Sequence, residues 1–375
     1  MAGGIAMIYF DSAATTLQKP PQVAQAVQRA IRTCASVGRG GHPAAMAAAE
    51  TVYGCREAAA KLFDAEAEQV VFTMNATHGL NIAINTLVPE GAKVVISGFE
   101  HNAVTRPLHA RGAKITVAGQ RLFSPADTLW AFDEATRERP AAVICTHVSN
   151  VFGYVLPVGE IATLCRSRGI PLIIDAAQSA GVLPVSLRES GARFIAMPGH
   201  KGLYGPQGTG ILLCGGGAEP LLYGGTGSNS KEQDMPDFLP DRLEAGTHNV
   251  CGIAGLREGL RFVMRRTPRR IFDHEQALLR HLQRLLQGQA GLEVFCGDGQ
   301  SGVLSFRVRG MDCETAAETL AQQYIAVRAG LHCAPYAHES AGTLHSGTVR
   351  VSFSAFNTHR EVEQFASACK KLFRP

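Results

Sequence analysis

The sequence predicts an α/β fold: a large, mostly parallel sheet covered by helices, followed by a smaller α+β domain. Three observations predict it. Seven short apolar runs lie between residues 70 and 214, and helix-like stretches separate several of them. Beyond residue 289 strand-like and helix-like runs return in a different order. A length of 375 residues suits two domains.

Taken in order, residues 22–33 (QVAQAVQRAIRT) have helical apolar spacing, as does the Ala-rich run 44–63. The apolar runs then begin: 70–74, 93–98, 114–119, 141–149, 171–177, 193–199 and 209–214. Between them, 77–88, 102–111, 127–138 and 158–168 read as helices. Strands with little polar alternation are buried on both faces, as in parallel sheets. Ligands of such sheets sit beyond the carboxyl ends of the strands. That directs attention to Asn75-Ala76-Thr77, Glu100-His101, Asn150, Asp175 and Gly199-His200-Lys201. Residues 215–250 are aperiodic and rich in Gly, Pro and Asp, an excursion long enough to be functional or interfacial. A helical run follows at 253–289. The tail reads as strand 302–308, helix 312–323, strands 325–330 and 348–353, and helix 359–373. The expected division is a large domain over 15–255 and a small domain over 256–375, joined by residues 1–14.

Composition excludes several classes. The net charge of +4 is too small and scattered for a nucleic-acid or membrane footprint. No run of 18 apolar residues occurs, so no membrane span is expected. The start, MAGGIAMIYFDSAATT, lacks a basic segment and does not read as a signal peptide. Ten cysteines with no CxxC pair point to reduced thiols in a cytoplasmic protein, and no metal site is expected.

Asp175 ends a buried apolar run, which is costly unless it meets a cation or donor. Lys201 follows a Gly-His pair at the end of another, where a lysine can be desolvated into an amine nucleophile. Pyridoxal phosphate needs both: a lysine for the Schiff base and an acid for the pyridinium nitrogen. The alternative is a turn-capping Asp175 and a surface Lys201. NATHGLN (75–81) starts a helix after a strand, a natural phosphate seat or an ordinary N-cap. His101 could stack on a planar cofactor or serve as a structural hydrogen-bonding residue. RAGLHCAPYAH places Cys333 beside His332, with Arg328 upstream and His338 downstream; cationic neighbours would favour its thiolate. Arg350, on a strand, has the fork for a carboxylate.

Together these segments resemble the class V aminotransferase superfamily, and within it the cysteine desulfurases and selenocysteine lyases. The resemblance runs from YFDSAATTLQKP through NATHGLN, FEHNA, HVSNVFG, IIDAAQSAG, GHKGLYGPQGTG and RLEAGTHN to RAGLHCAP and VRVSFSAFNT. The short form around Cys333 looks like the desulfurases of the SUF system. The resemblance implies a fold-type I transferase using pyridoxal 5'-phosphate. It implies Lys201 as the Schiff-base lysine, Asp175 on the ring nitrogen, and His101 stacked on the ring as a catalytic residue. Gln178 and Asn150 match contacts to the ring hydroxyl and the substrate; Ala76, Thr77 and His200 match the phosphate seat. Gly225 and Thr247 match residues reaching the neighbouring subunit's phosphate, which implies a homodimer. Arg350 matches the substrate-carboxylate arginine, His42 and Arg328 match pocket residues, and Cys333 matches the sulfur-taking thiol.

The implied reaction converts L-cysteine to L-alanine, leaves a persulfide on Cys333 and passes sulfur to an acceptor protein or small thiol, as in iron–sulfur cluster assembly. Selenocysteine lyase, a sulfur-free class V aminotransferase or epimerase, and a thiol-rich sulfur or metal carrier are the alternatives. Three positions depart from the SUF-type pattern: Pro198 replaces a hydroxyl residue, Gly202 is an extra residue after Lys201, and Ala76 stands where a Thr is usual.

Overall fold

The computed structural model describes residues 7–37 and 40–372. Residues 1–6 of the expected small-domain segment, and position 373 of the last predicted helix, lie outside them.

The apolar runs become a seven-stranded sheet. Its strands are β2 (Val70–Thr73), β3 (Lys93–Ser97), β4 (Lys114–Ala118), β5 (Ala142–Thr146), β6 (Leu172–Asp175), β7 (Phe194–Pro198) and β8 (Gly210–Cys214). Their spatial order is β2-β8-β7-β6-β5-β3-β4. From β4 to β7 every pairing is parallel, whereas β8 runs antiparallel to both β7 and β2. Alternate residues of each strand serve opposite cores. Val95, Val143, Ile174 and Leu213 pack on one face, and Val94, Ile144, Ile173 and Leu212 on the other. That double burial removes the polar alternation of a half-exposed strand.

Helices α1 (Pro21–Thr33) and α2 (Pro43–Phe63) precede the sheet. The crossovers carry α3 (Ala76–Leu87), α4 (Asn102–Ala110), α5 (Pro125–Thr136), α6 (Val158–Arg168) and the single turn α7 (Leu187–Ser190). The helical run expected over 253–289 is two helices, α8 (Val250–Arg266) and α9 (Pro268–Leu286). Pro268 has no N–H to continue α8, and Thr267 caps α9 by accepting from the Arg270 N–H. Helix α8 packs on α1 and α2 and sends Val250, Ile253, Leu256 and Leu260 into the large core.

The second core gathers Phe10, Leu278, Leu282, Phe306, Val349 and Phe365. It is built on an antiparallel sheet, β12-β13-β10-β9, of β12 (Arg328–Gly330), β13 (Thr348–Ser352), β10 (Val303–Val308) and β9 (Leu292–Phe295). Helices α10 (Cys313–Ala321) and α12 (His359–Leu372) complete this part, whereas α11 (Pro335–Ser340) packs Ala337 into the large core. The strand expected over 325–330 is divided. Its first half, β11 (Ile325–Ala326), leaves the sheet to pair with β1 (Ile8–Tyr9). That pairing docks the start of the chain on the C-terminal core, and Asp11 follows with a bridge to Ser352.

Residues 215–249 form only one short 3-10 turn, Asp241–Leu243. Glu244 anchors them: its carboxylate accepts both Nη atoms of Arg56, at 2.9 and 2.8 Å, and the Phe72 N–H at 2.6 Å. Arg56 and Glu244 are both buried.

Candidate active site

The carboxyl ends of the parallel strands and the loops beyond them enclose a cavity of about 220 Å3. Of the residues singled out from the sequence, Asn75, Ala76, Thr77, His101, Asn150, Asp175, Gln178, His200 and Lys201 line it. Each comes from the end of a strand or from the stretch just after one. Asp175 is the last residue of β6, and Lys201 follows β7.

Desolvation pulls the Lys201 ammonium down to about 8, opposed by Asp175 and assisted by Arg350. Burial raises Asp175 above its ordinary value, against the Ala177 N–H and Lys201. The His200 carbonyl accepts from the Thr16 N–H at 3.1 Å and the Thr16 hydroxyl at 3.0 Å. The N-terminal segment thereby holds the lysine loop. His101 Nδ1 accepts from the Ala103 N–H at 3.0 Å. Burial, then the Lys201 and Arg350 charges, lower His101 to about 4, so at neutral pH it is uncharged with its proton on Nε2. Gln178 Nε2 donates to Ala13 O at 3.0 Å. Behind Asp175, buried Glu100 accepts from the Thr146 N–H at 2.7 Å, and burial raises it to about 8.

At helix α3, Asn75 accepts from the His78 N–H at 2.9 Å. The N–H groups of Ala76 and Thr77 make no hydrogen bond among the described residues. Pro198 lines the same cavity and offers carbon where a hydroxyl would donate. Gly202 has a steric reason: a Cβ there would run into Ala180 O.

Arg350 and the Cys333 loop are tied to the cavity through Asn150 and Asn102, and Arg328 lies 3.8 Å from Asp11, which holds Arg350. Arg350 Nη1 donates to Asn150 O at 2.9 Å, and Asn150 Nδ2 donates to His332 O at 2.8 Å. The Asn102 N–H donates to Cys333 O at 2.7 Å. Cys333 is exposed, and both it and His332 occupy the left-handed region, with φ of 57° and 50°. The expectation that histidines beside Cys333 act as cations fails. Burial lowers His332 to about 2 and His338 to about 4, so both are neutral. Arg328 is the remaining cation of that group.

Three of the singled-out residues do not reach the cavity. His42 is exposed and caps α2. Gly225 and Thr247 are exposed within the 215–249 excursion, where the Gly246 N–H donates to Gly225 O at 2.8 Å. Asp11 was missed in the sequence. It hydrogen-bonds Arg350 Nη2 at 2.7 Å, although 339 residues separate them.

The class-V aminotransferase family model matches residues 8–365. A probable cysteine desulfurase of Methanothermobacter thermautotrophicus is 34% identical, over 97% of this chain and 94% of that protein. The chain belongs to the class-V aminotransferase family, in its cysteine desulfurase branch. The cysteine desulfurase of Escherichia coli O157:H7 is 32% identical, over 99% of this chain and 94% of that protein. Among solved structures, apo cysteine desulfurase from Thermococcus onnurineus NA1 superposes with a TM-score of 0.89. It shares 30% identity, over 98% of this chain and 94% of that one.

The family depends on pyridoxal phosphate, and the cavity fits that group. It offers an amine at Lys201, an acid at Asp175 and free helix N–H groups at Ala76 and Thr77. His200 Nδ1 is buried with no partner among the described residues, a donor or acceptor awaiting one. Among the described residues, no group of three His, Cys, Asp or Glu could hold a metal ion, and no helix is long and apolar enough to cross a membrane.

Proposed function

We propose that the protein removes sulfur from L-cysteine, releases L-alanine and holds the sulfur as a persulfide on Cys333. The observation that carries this reading is the tie between the exposed Cys333 loop and the cofactor cavity, through Asn102 and Asn150. A thiol elsewhere on the surface would not meet a substrate held over Lys201.

Lys201 would carry the cofactor, with Asp175 serving its ring nitrogen and His101 its ring face. Gln178 and Asn150 would serve the ring hydroxyl and the substrate, and Ala76, Thr77 and His200 would hold the phosphate. Pyridoxal phosphate, when bound, holds the substrate's amino group and stores the electrons freed at the α carbon. Desolvation lowers the Lys201 ammonium to about 8, which raises the share of free amine able to accept the α-proton. Arg350 and Arg328 orient the substrate carboxylate. The Cys333 sulfur then attacks the substrate sulfur. An S–S bond forms and the Cβ–S bond breaks; the electron pair stays on Cβ, which takes a proton to become the methyl of alanine. A sulfur-acceptor protein or small thiol removes the sulfur, in service of iron–sulfur cluster assembly in the cytoplasm.

Gly225 and Thr247 reach the phosphate site of a second copy, making the enzyme a homodimer. We assign the Cys333 loop to the small domain of the division 15–255 and 256–375 with 1–14, with the difference that Leu256 and Leu260 of α8 pack in the large core.

The test compares wild type with Cys333→Ala on L-cysteine and L-selenocysteine. The variant should keep bound cofactor and lose at least about 100-fold in sulfide release. Mass spectrometry of wild type after a brief cysteine pulse should find the added sulfur on Cys333. Wild-type sulfide release by the variant, or sulfur on another cysteine, would overturn the reading. A wild type active on selenocysteine alone would make it a selenocysteine lyase.

A further inference from the structure

Two cavities share a wall. Ala177, Gln178 and Lys201 line both the cofactor cavity and a smaller one of about 30 Å3. Tyr204 of the lysine loop, Glu275 of α9 and Ser301 help to close the smaller one, and all three are buried. None has its hydrogen-bonding capacity met among the described residues. The Glu275 carboxyl makes no hydrogen bond there, and Ser301 Oγ is buried without a partner. The Tyr204 hydroxyl accepts from the Ala355 N–H at 2.9 Å, but its own proton meets no acceptor. Buried polar groups in this state call for water, and the cavity has room for one molecule or two. Lys201 and Tyr204 are the other titratable groups on this lining, and Arg266 at the end of α8 acts on the Tyr204 phenol. Burial, then Glu275, pushes that phenol up, so it keeps its proton. Burial alone raises Glu275 to about 8, and desolvation lowers Lys201 to about 8. Two groups so matched exchange a proton at little cost in either direction.

The reaction proposed above breaks one C–H bond, at the α carbon, and makes two, at the α and β carbons. The α-proton carried by Lys201 accounts for one of them. The other needs a second donor. We propose that Glu275 is that donor, a positioning residue that acts through Lys201 and resupplies its amine by way of water in the second cavity. Lys201 takes the α-proton and gives it to Cβ once the Cβ–S bond has broken. Glu275 then passes a proton to the Lys201 amine, which places it on the α carbon. The thiol proton that Cys333 gives up leaves to solvent, and solvent restores Glu275, so the protons balance. The proposal rests on Lys201 handling the α-proton, as in the function proposed above.

The holoenzyme is tested in a single turnover, with persulfide on Cys333 and free L-alanine followed separately. In Glu275→Gln, persulfide should form at the wild-type rate while alanine release falls about 100-fold. In wild type, the ratio of alanine release to persulfide formation should fall as pH rises through about 8, where Glu275 loses its proton. In Glu275→Gln that ratio should stay flat. Ser301→Ala removes one anchor for the water and should lower the ratio as well. Infrared difference spectra of wild type against Glu275→Gln should show a protonated carboxyl near neutral pH. Persulfide and alanine slowed equally, a ratio unmoved by Glu275→Gln or still falling with pH in it, or no protonated-carboxyl band overturns the proposal. Wild type that makes neither persulfide nor alanine from L-cysteine overturns the underlying function, and this proposal with it.

Discussion

Glu275 is a carboxyl group with no hydrogen-bond or ionic partner among the described residues. It lies on α9, 6% exposed, against Gly302. Burial alone raises it from 4.5 to about 8. Because its folded value is raised, the native state holds a proton that the unfolded chain has released between about pH 4.5 and 8. Stability therefore falls as pH rises through that window. Glu275→Gln should remove this loss, adding on the order of 3 kcal/mol at pH 8 and little at pH 4. Denaturant titrations of both proteins across that range check it; parallel stability curves would mean that Glu275 is solvated or paired.

At the level of elements, the lysine loop is shaped by contact between backbones. Gly202 lies against Ala180, and a Cβ on Gly181 would in turn run into Gly202 O. Gly202→Ala should cost about 1–3 kcal/mol and shift the loop carrying Lys201. Reduced melting temperature with weakened cofactor retention would report this, whereas an unaffected variant would show a yielding loop. The same loop marks how far the sequence could be read. Strands β2 to β8 were legible because burial on both faces leaves unbroken apolar runs. Polar residues ending those runs led to the cavity, since loops of parallel strands open on one side. Short elements escaped: β9, α7 and α11 have too few residues for a period to register. Asp11 escaped for another reason. Its partners lie on β12 and β13, and the pairing of β1 with β11 and the Asp11–Ser352 bridge bring them together. The cationic role expected for His332 failed because local sequence does not reveal burial.

For the whole molecule, the proposed homodimer bears on the 215–249 excursion. Leu221, Leu222, Tyr223 and Phe238 are exposed on it, and Tyr223 is 76% exposed. Isolated apolar residues are ordinary on a surface, but a run of them beside Gly225 and Thr247 is suited to an interface. Light scattering of the purified protein should give a dimer near twice the chain mass. Tyr223→Glu should shift it toward monomer and lower activity in parallel. A wild-type monomer with full activity would remove Gly225 and Thr247 from any shared site.

The clamp on Cys333 also has a kinetic consequence. The His332 carbonyl accepts from Asn150 Nδ2 and the Cys333 carbonyl from the Asn102 N–H, and both residues hold left-handed backbone. Under the proposed function, a thiol on a backbone fixed this way has little freedom to swing outward and deliver sulfur. Delivery would then be a collision, in which the acceptor brings its own nucleophile to residues 331–334. With substrate saturating, turnover should climb in proportion to acceptor concentration and level off only once unloading outpaces the chemistry at Lys201.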